Sequence, residues 1–339
     1  MIIVLKPEAT KKEKKHIIDR IKELKLTPRV LHGTERDVIA VIGSESIISQ
    51  LPLEVFPGVE SAMPVLKPYK LVSRKVKPDS TVIDVNGIKI GGGKTFNIIA
   101  GPCSIEGLGM MRNIWKSIQQ TGIGIMRGGA FKPRTSPYSF QGMGKKGLEI
   151  FKKIKKEFKI SVITEVMDTK DVELVAKYSD ILQIGARNIQ NFSLLKEVGK
   201  CKKPVMLKRG MAMTIKEFLM AAEYVLSQGN FNVILCERGI RTFEPLTRFT
   251  LDISAVPIIK KETHLPVFID PSHGGGRWDL VEPLSKAALA VEADGIIVEV
   301  HDNPENAVSD GEQSLRPYKF NEMVEKLRKT AEFMGKEIC

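Results

Sequence analysis

Cysteine is scarce in this chain of 339 residues, and its four copies share no close spacing. They are Cys103, Cys201, Cys236 and Cys339, a pattern that contains neither a disulfide framework nor a zinc knuckle. We therefore expect a reducing, cytoplasmic compartment. Aromatic residues make up only 6% of the chain, which gives no support to a surface that stacks single-stranded nucleic acid.

Long apolar runs are also absent. No apolar stretch approaches the ~20 residues needed to span a bilayer, so we expect no membrane partner. Basic residues, in contrast, are in excess, since 52 Lys and Arg against 40 Asp and Glu give a formal net charge of +12. Much of this excess lies on helical stretches such as residues 152–156, which is typical of a solvated surface. A basic nucleic-acid-binding protein is the alternative from another functional class, although we expect no nucleic acid as a partner.

The first 66 residues have the pattern of a small domain of their own. Strands are predicted at residues 2–5, 29–32, 38–42 and 59–66, and helices at residues 9–26 and 44–51. The order β-α-β-β-α-β predicts a ferredoxin-like fold, which by itself names no function. Residues 67–94 are predicted to form a linker and a β-hairpin that turns at Asn86-Gly87.

Strands and helices alternate from residue 95 to residue 339. Strands are predicted at residues 96–100, 124–127, 161–165, 181–184, 204–208, 232–236, 266–269 and 295–300. Eight strands with eight helices in ~250 residues predict an α/β fold closed into a (β/α)₈ barrel. A doubly wound open sheet is the alternative. In such a barrel the active site lies at the carboxyl ends of the strands.

Basic side chains follow four of these strands at the point where each strand ends. Seven cations at one rim would repel one another unless anions lie between them. Arginine and lysine bind phosphate and carboxylate well, so the pattern predicts an anionic, phosphorylated substrate. The alternative is that these arginines pair with the strand-end carboxylates Glu165 and Glu237. The seven cations are Arg127, Lys132, Arg134, Arg187, Lys208, Arg209 and Arg238.

Four side chains of the kind that bind metals follow strands one, seven and eight, which become neighbours when the barrel closes. They are Cys103, His273, Glu299 and Asp310. A mixed set of sulfur, nitrogen and oxygen donors suits Mn²⁺, Fe²⁺ or Zn²⁺ better than Mg²⁺ or Ca²⁺. His301 is an alternative ligand, because residues two apart on a strand share a face. Taken singly, a strand cysteine is more often a small buried hydrophobic residue.

Six motifs around these residues resemble those of the 3-deoxy-D-arabino-heptulosonate 7-phosphate (DAHP) synthase family. In chain order they are Gly101-Pro102-Cys103-Ser104, Arg127-Gly128-Gly129-Ala130, Lys132-Pro133-Arg134-Thr135-Ser136-Pro137, Gly185-Ala186-Arg187-Asn188, Leu207-Lys208-Arg209-Gly210 and Asp270-Pro271-Ser272-His273. The resemblance spans residues 95 to about 315. The ferredoxin-like leader is similar to the regulatory extension of one branch of this family.

The resemblance implies a metal-dependent condensation that opens the shikimate pathway. Phosphoenolpyruvate and erythrose 4-phosphate would give DAHP and inorganic phosphate with the help of one divalent ion, Mn²⁺, Fe²⁺, Zn²⁺ or Co²⁺. The residues that match the family's metal ligands are Cys103, His273, Glu299 and Asp310. The ion would polarise the aldehyde oxygen of erythrose 4-phosphate as a Lewis acid.

The resemblance also implies how the cations are shared between the substrates. Arg127, Lys132 and Lys208 match the group around the phosphoenolpyruvate carboxylate, and Arg187 and Arg238 match the clamp on its phosphate. Arg134 and Thr135 match the contacts to erythrose 4-phosphate. Lys132 is also a candidate proton donor, whereas Arg209 matches no role.

The synthase that makes 3-deoxy-D-manno-octulosonate 8-phosphate from arabinose 5-phosphate is the alternative activity. The run of residues 132–136 favours the four-carbon sugar, and that relative normally lacks the leader domain. The resemblance further implies a homotetramer with Tyr or Phe as an inhibitor bound at residues 1–66. The alternative is that the leader only stabilises an oligomer.

Overall fold

The computed structural model describes residues 1–33, 36–43, 55–63, 68–134 and 136–339. These residues divide into two compact units, one of residues 1–80 with 261–264 and one of residues 81–260 with 265–339. The helix predicted at residues 44–51 lies outside the described residues. The division into these two units falls after residue 80. The domain boundaries predicted after residues 66 and 94 stay predictions.

The first unit contains an antiparallel sheet of four strands with the order β2-β3-β1-β4. Its elements are β1 (Ile2–Leu5), α1 (Lys11–Glu23), β2 (Thr27–His32), β3 (Asp37–Ile42) and β4 (Val59–Met63). Helix α1 begins at a capping box formed by Thr10 and Glu13, and its Ile17 and Ile21 are fully buried in the core of this unit. The predicted ferredoxin-like order is confirmed for the elements that the structure describes.

The second unit is built around a closed barrel of eight parallel strands. They are β7 (Thr95–Gly101), β8 (Ile125–Arg127), β9 (Ser161–Glu165), β10 (Ile181–Ile184), β11 (Val205–Lys208), β12 (Val233–Glu237), β13 (Val267–Ile269) and β14 (Gly295–Glu299). Strand β14 pairs with β7 and sets Glu299 opposite Gly101. This pairing closes the sheet, so the predicted barrel is confirmed and the open-sheet alternative is wrong.

Helices follow the strands around the barrel and cover its outer face. They are α2 (Leu108–Ile118), α3 (Lys145–Phe158), α4 (Val172–Tyr178), α5 (Phe192–Lys200), α6 (Ile215–Ser227), α7 (Ala255–Glu262), the short α8 (Pro271–Gly275), α9 (Trp278–Ala290) and α10 (Pro317–Phe333). A last short strand, β15 (Glu337–Ile338), pairs with the start of β7. Among the described residues, none of the helices is long and apolar enough to cross a bilayer.

A β-hairpin covers the amino end of the barrel. It consists of β5 (Val82–Val85) and β6 (Ile88–Gly91), joined at Asn86 and Gly87, which both have the positive φ that a tight hairpin turn requires. Asn86 Nδ2 donates a hydrogen bond of 2.9 Å to the hydroxyl of Ser161, the first residue of β9. Apolar side chains of the hairpin pack into the barrel core. The site described next therefore lies at the opposite end of the barrel.

Candidate active site

A cluster of one thiol and two carboxylates lies at the carboxyl end of the barrel. Cys103 follows β7, Glu299 is the last residue of β14, and Asp310 lies in the loop beyond β14. The pairing of β14 with β7 brings the three together, and their possible ligand atoms all lie within 4.8 Å of one another. Cys103 Sγ lies 3.0 Å from Asp310 Oδ2.

His273 extends this cluster from the neighbouring strand. It lies in α8, directly after β13, and its Nε2 is 3.6 Å from Glu299 Oε1. Its Nδ1 lies 2.7 Å from Asp270 Oδ2, and Asp270 Oδ1 accepts a hydrogen bond of 2.9 Å from the backbone N–H of His273. Burial lowers the pKa of His273 to about 4. The ring is therefore neutral at pH 7 and backed by a carboxylate, which is the usual state of a metal-binding histidine.

Buried polar atoms without partners test whether these residues fit a metal ion. Glu299 Oε1 is buried and accepts no hydrogen bond from any described residue, although Arg127 Nη2 lies only 3.0 Å away. Burial, and next the charge of Glu299, raise the pKa of the Cys103 thiol to about 12. A buried thiol of this kind ionises when a cation binds its sulfur. The residues present therefore fit a divalent ion bound by sulfur, nitrogen and carboxylate oxygens.

A cavity of about 310 Å³ opens beside this cluster. Its basic lining residues are Arg127, Lys132, Arg134, Arg187, Lys208, Arg238 and Arg248. Six of the seven predicted cations therefore line one cavity, together with one arginine that the sequence did not single out. Lys132 Nζ lies 2.7 Å from Cys103 Sγ, so the cavity and the cluster are in direct contact.

The seven cations of the cavity differ in how their charge is balanced. Arg127 pairs with Glu299, and Lys208 pairs with Asp270. Neither Arg187 nor Arg238 forms an ion pair in the described part of the chain, and Arg238 Nε and Nη1 are buried without a hydrogen-bond partner there. Unpaired guanidinium groups that face a cavity are suited to a phosphate or carboxylate.

Arg209 lies outside this cavity. Its Nη1 is 2.7 Å from Glu237 Oε2 and 2.9 Å from Asp252 Oδ2, and its Nε donates to the carbonyl of Met213. The alternative that arginines at the rim pair with Glu165 or Glu237 is thus correct for Arg209 and Glu237, whereas Arg127 pairs with another strand-end carboxylate, Glu299. Arg209 therefore stabilises the rim through its ion pairs with Glu237 and Asp252, which agrees with its matching no substrate-binding position of the family.

The predicted contacts to the second substrate are described only in part. Arg134 lines the cavity, and its Nε donates a hydrogen bond of 3.0 Å to the carbonyl of Phe140. Arg134 also lines an adjoining cleft of about 730 Å³, which shares Arg248 and Asp310 with the cavity. Thr135 lies outside the described residues.

His301, the alternative ligand, has other contacts. Its Nε2 lies 3.3 Å from Glu106 Oε1, and its Nδ1 accepts a hydrogen bond of 3.0 Å from the backbone N–H of Asn303. Both ring nitrogens are therefore used outside the cluster, and the structure does not bring His301 together with the predicted ligands.

Glu165 is a cavity residue to which the sequence gave no catalytic role. Burial raises the pKa of its carboxyl, its Oε1 has no hydrogen-bond partner among the described residues, and Gln183 Nε2 lies 3.3 Å from its Oε2. Glu165 forms no ion pair in the described ranges. Its position at the end of β9 was visible in the sequence, but nothing there showed that its carboxyl would face the cavity.

Three other residues were missed for a different reason. Asp270 stands in the motif that contains His273, yet only the structure shows that it contacts both His273 and Lys208. Burial opposes ionisation of Asp270, but these two neighbours hold its pKa well below the usual range. Arg248 and Gln313 lie in loops after β12 and β14, and neither residue type nor spacing marks them.

Two families match this chain. The DAHP synthetase I family matches residues 74–335, and the DAHP synthase ferredoxin-like domain matches residues 1–67. A phospho-2-dehydro-3-deoxyheptonate aldolase from Thermotoga maritima is 52% identical over 338 residues, which is 100% of both chains. A 2-dehydro-3-deoxyphosphooctonate aldolase from Francisella tularensis subsp. holarctica is 32% identical and aligns with 72% of this chain and 94% of its own.

Solved structures give the same picture. The crystal structure of the phospho-2-dehydro-3-deoxyheptonate aldolase (DAHP synthase) from Thermotoga maritima superposes with a TM-score of 0.79 at 51% identity, over 100% of this chain and 99% of that one. A truncated form of the 3-deoxy-D-arabino-heptulosonate 7-phosphate synthase from the same organism superposes with a TM-score of 0.75. That truncated form covers 80% of this chain.

Proposed function

The chain belongs to the DAHP synthetase I family and condenses phosphoenolpyruvate with erythrose 4-phosphate, and we propose that it does so with a bound divalent metal ion. The reaction is the first step of the shikimate pathway, and its products are DAHP and inorganic phosphate. The residues that would hold the ion are Cys103, His273, Glu299 and Asp310. Their donor set suits Mn²⁺, Fe²⁺, Zn²⁺ or Co²⁺.

One observation carries this proposal. A cluster of metal-ligating side chains contacts a cavity that is lined by seven basic residues. Four of the seven, Arg127, Lys132, Lys208 and Arg238, are buried, and anions bound in the cavity would balance the charge that the nearby carboxylates leave uncompensated. An ion beside a binding site for phosphorylated substrates is what a metal-assisted condensation of two such substrates requires.

The cations support a division between the two ends of phosphoenolpyruvate. Arg127 and Lys132 contact the cluster residues Glu299 and Cys103, and Lys208 contacts Asp270 beside His273; we assign these three cations to the carboxylate. Arg187 and Arg238 have no acidic partner in the described residues, and we assign them to the phosphate. Arg134, with the predicted Thr135, is assigned to erythrose 4-phosphate.

The chemistry then follows from groups that are fixed before the substrates react. When bound, the metal ion would polarise the aldehyde oxygen of erythrose 4-phosphate as a Lewis acid. Carbon 3 of phosphoenolpyruvate attacks the aldehyde carbon, water adds at carbon 2, and phosphate leaves. Preorganised cations stabilise the charge that develops without rearranging. We assign Lys132 as the proton donor and Glu165, which lines the same cavity, as the group that accepts the proton of the attacking water.

Phosphate release from the two substrates tests this proposal. The metal-depleted enzyme should release no phosphate, and added Mn²⁺ should restore the release. Turnover that persists at the same rate after complete metal removal would contradict the role of the ion. Mass spectrometry of the product identifies the sugar that was used, since erythrose 4-phosphate and arabinose 5-phosphate give acids of seven and eight carbons.

The octulosonate activity is the second candidate, and the 32% identity to the Francisella protein favours it. That relative aligns with 72% of this chain, whereas the Thermotoga protein aligns with all of it at 52% identity. We therefore expect arabinose 5-phosphate to be a poor substrate. A higher kcat/KM for arabinose 5-phosphate than for erythrose 4-phosphate would reverse the assignment.

The ferredoxin-like domain is consistent with regulation, and we propose that it binds Tyr or Phe as an inhibitor. Inhibition of the full chain by either amino acid, and its loss after removal of residues 1–66, would support this role. A full chain that neither amino acid inhibits at millimolar concentration would refute it. The homotetramer and the cytoplasmic location stay predictions.

A further inference from the structure

We propose that Arg248 and Gln313 are positioning residues that make each carboxylate of the metal site present a single oxygen to the ion. This inference rests on the proposed function, because it takes Glu299 and Asp310 as ligands. Both carboxylates show the same division of labour: the Arg248–Gln313 pair binds one oxygen of each, and the other oxygen faces the cluster.

The division is clear at Glu299. Gln313 Nε2 donates a hydrogen bond of 2.7 Å to Glu299 Oε2, and the backbone N–H of Glu299 donates 2.9 Å to the hydroxyl of Ser272. Glu299 Oε1 accepts no hydrogen bond from a described residue and lies 3.0 Å from Arg127 Nη2 and 3.6 Å from His273 Nε2, on the side of the cavity and the cluster. Gln313 thus holds one oxygen and leaves the other toward the histidine that shares the site.

Asp310 is divided in the same way. Arg248 Nη1 donates a hydrogen bond of 3.0 Å to Asp310 Oδ1, while Asp310 Oδ2 lies 3.0 Å from Cys103 Sγ. The backbone of Asp310 has φ 51° and ψ 37°, a left-handed conformation that is uncommon for L-residues although Asp adopts it more readily than most. Arg248 contacts this residue from a different loop of the barrel.

The two contacts are joined into one chain. The same Arg248 Nη1 donates a hydrogen bond of 2.7 Å to Gln313 Oε1. The guanidinium therefore fixes the orientation of the amide, since Gln313 must accept with its oxygen and donate with its nitrogen toward Glu299. Loss of Arg248 would release Asp310 directly and Glu299 through the freed amide.

Hydrogen-bond partners that orient metal ligands typically contribute about 10–100-fold to metal affinity. We expect Arg248→Gln and Gln313→Ala each to weaken binding by a factor in this range. Because the two side chains act through one connected chain, the double variant should lose less than the product of the two single losses. Arg277→Gln is the matched control and should leave the metal affinity unchanged. Arg277 lines the cleft of about 730 Å³ beside Arg248 and Gln313, but its side chain pairs with Asp279 instead of a metal ligand.

The test is a Co²⁺ titration of the metal-depleted full-length protein. Binding is followed by the near-ultraviolet absorption that arises when a cysteine thiolate coordinates Co²⁺, and Cys103→Ser shows that the band reports this site. Wild-type Co²⁺ affinity in folded Arg248→Gln and Gln313→Ala variants would overturn the inference. If Arg248→Gln does not fold, Arg248→Lys replaces it, because Lys keeps the positive charge beside Asp310 but lacks the guanidinium that contacts Asp310 and Gln313 together. An unchanged Co²⁺ affinity of Arg248→Lys would also overturn the inference.

The result also separates this inference from the proposed function. A wild-type protein that binds Co²⁺ without the thiolate band would refute the metal site, and the inference with it. A wild-type protein that shows the band, beside variants of equal affinity, would leave the metal site standing and refute only the role of Arg248 and Gln313.

Discussion

Arg209 and Arg238 follow neighbouring strands of the same barrel rim, yet the structure predicts opposite results for their replacement by methionine. The side chain of Arg209 pairs with Glu237, which is 0% exposed, and with Asp252. Removing it leaves a buried carboxylate without its main partner, which typically costs about 3–5 kcal/mol of unfolding free energy. Because Arg209 lies outside the cavity, we expect the KM for phosphoenolpyruvate to stay unchanged.

For Arg238 we expect the opposite result, with little change in stability and a large change in the KM for phosphoenolpyruvate. Arg238 is buried beside other cations, and its Nε and Nη1 have no hydrogen-bond partner among the described residues. Its guanidinium stacks on the Phe249 ring at 4.1 Å, which contributes roughly 0.5–2 kcal/mol. The cost of burying the charge, which lowers the pKa of Arg238, offsets this contribution and is relieved when the guanidinium is removed. We therefore expect Arg238→Met to change the unfolding free energy by less than about 1 kcal/mol.

The catalytic effect of Arg238→Met should be large. A hydrogen bond to a charged group contributes about 1.5–3 kcal/mol, and 1.4 kcal/mol corresponds to tenfold in affinity. We expect the KM for phosphoenolpyruvate to rise roughly 10- to 100-fold.

The assays are guanidinium unfolding at fixed protein concentration and phosphate-release kinetics, with the exposed Arg277→Met as a control that should lose under about 1 kcal/mol. Equal destabilisation by Arg209→Met and Arg238→Met would refute this reasoning, and so would an equal rise in KM.

Three further predictions concern the cluster and the cavity. Burial raises the pKa of Glu165, so its carboxylate forms only as the pH rises, and the kcat of the wild-type enzyme should rise with pH over that range. Glu165→Gln should lower kcat about 10²–10⁴-fold and abolish this rise of kcat with pH. Gly185→Ala should lower kcat/KM on the order of 10²-fold, because the added Cβ would clash with Glu165 Oε1. Gly109→Ala is the control, since a Cβ at residue 109 would have no atom within 4 Å and should leave kcat/KM unchanged. Cys103→Ser should reduce the metal retained after dialysis, measured per chain by mass spectrometry; full retention would argue against a thiolate ligand.

The barrel was predictable because buried parallel strands form short apolar runs between helical repeats. The predicted bounds of β9 and β10 agree with the structure to the residue, and the other six strands differ by one residue at one end or, for β7 and β12, at both ends. The order of the strands in such a sheet follows from the alternation of strand and helix and from the right-handed connections between parallel strands. The Asn86-Gly87 turn likewise carries its conformation in two residues.

The side-chain partners of the rim were not predictable in the same way. Lys208 and Arg209 are adjacent in sequence at the end of β11, yet Lys208 lines the cavity and Arg209 pairs with Glu237. The sequence showed both as cations after one strand. Which of the two faces the cavity depends on the tilt of the strands and on the carboxylates that other loops bring near.

What the sequence determined by itself is the set of chemical groups and their order along the strands: a thiol, an imidazole, two carboxylates and a series of cations, each after a strand end. Only the tertiary structure decided which oxygen of Glu299 and Asp310 faces the cluster and which is held by Arg248 or Gln313. The physical reason is that hydrogen bonds of 2.7–3.0 Å between residues more than 60 positions apart, as between Arg248 and Asp310 or Gln313, depend on the closure of the barrel. The alternation of strands and helices predicts the closure itself, but no local pattern of residues encodes which side-chain atoms then meet.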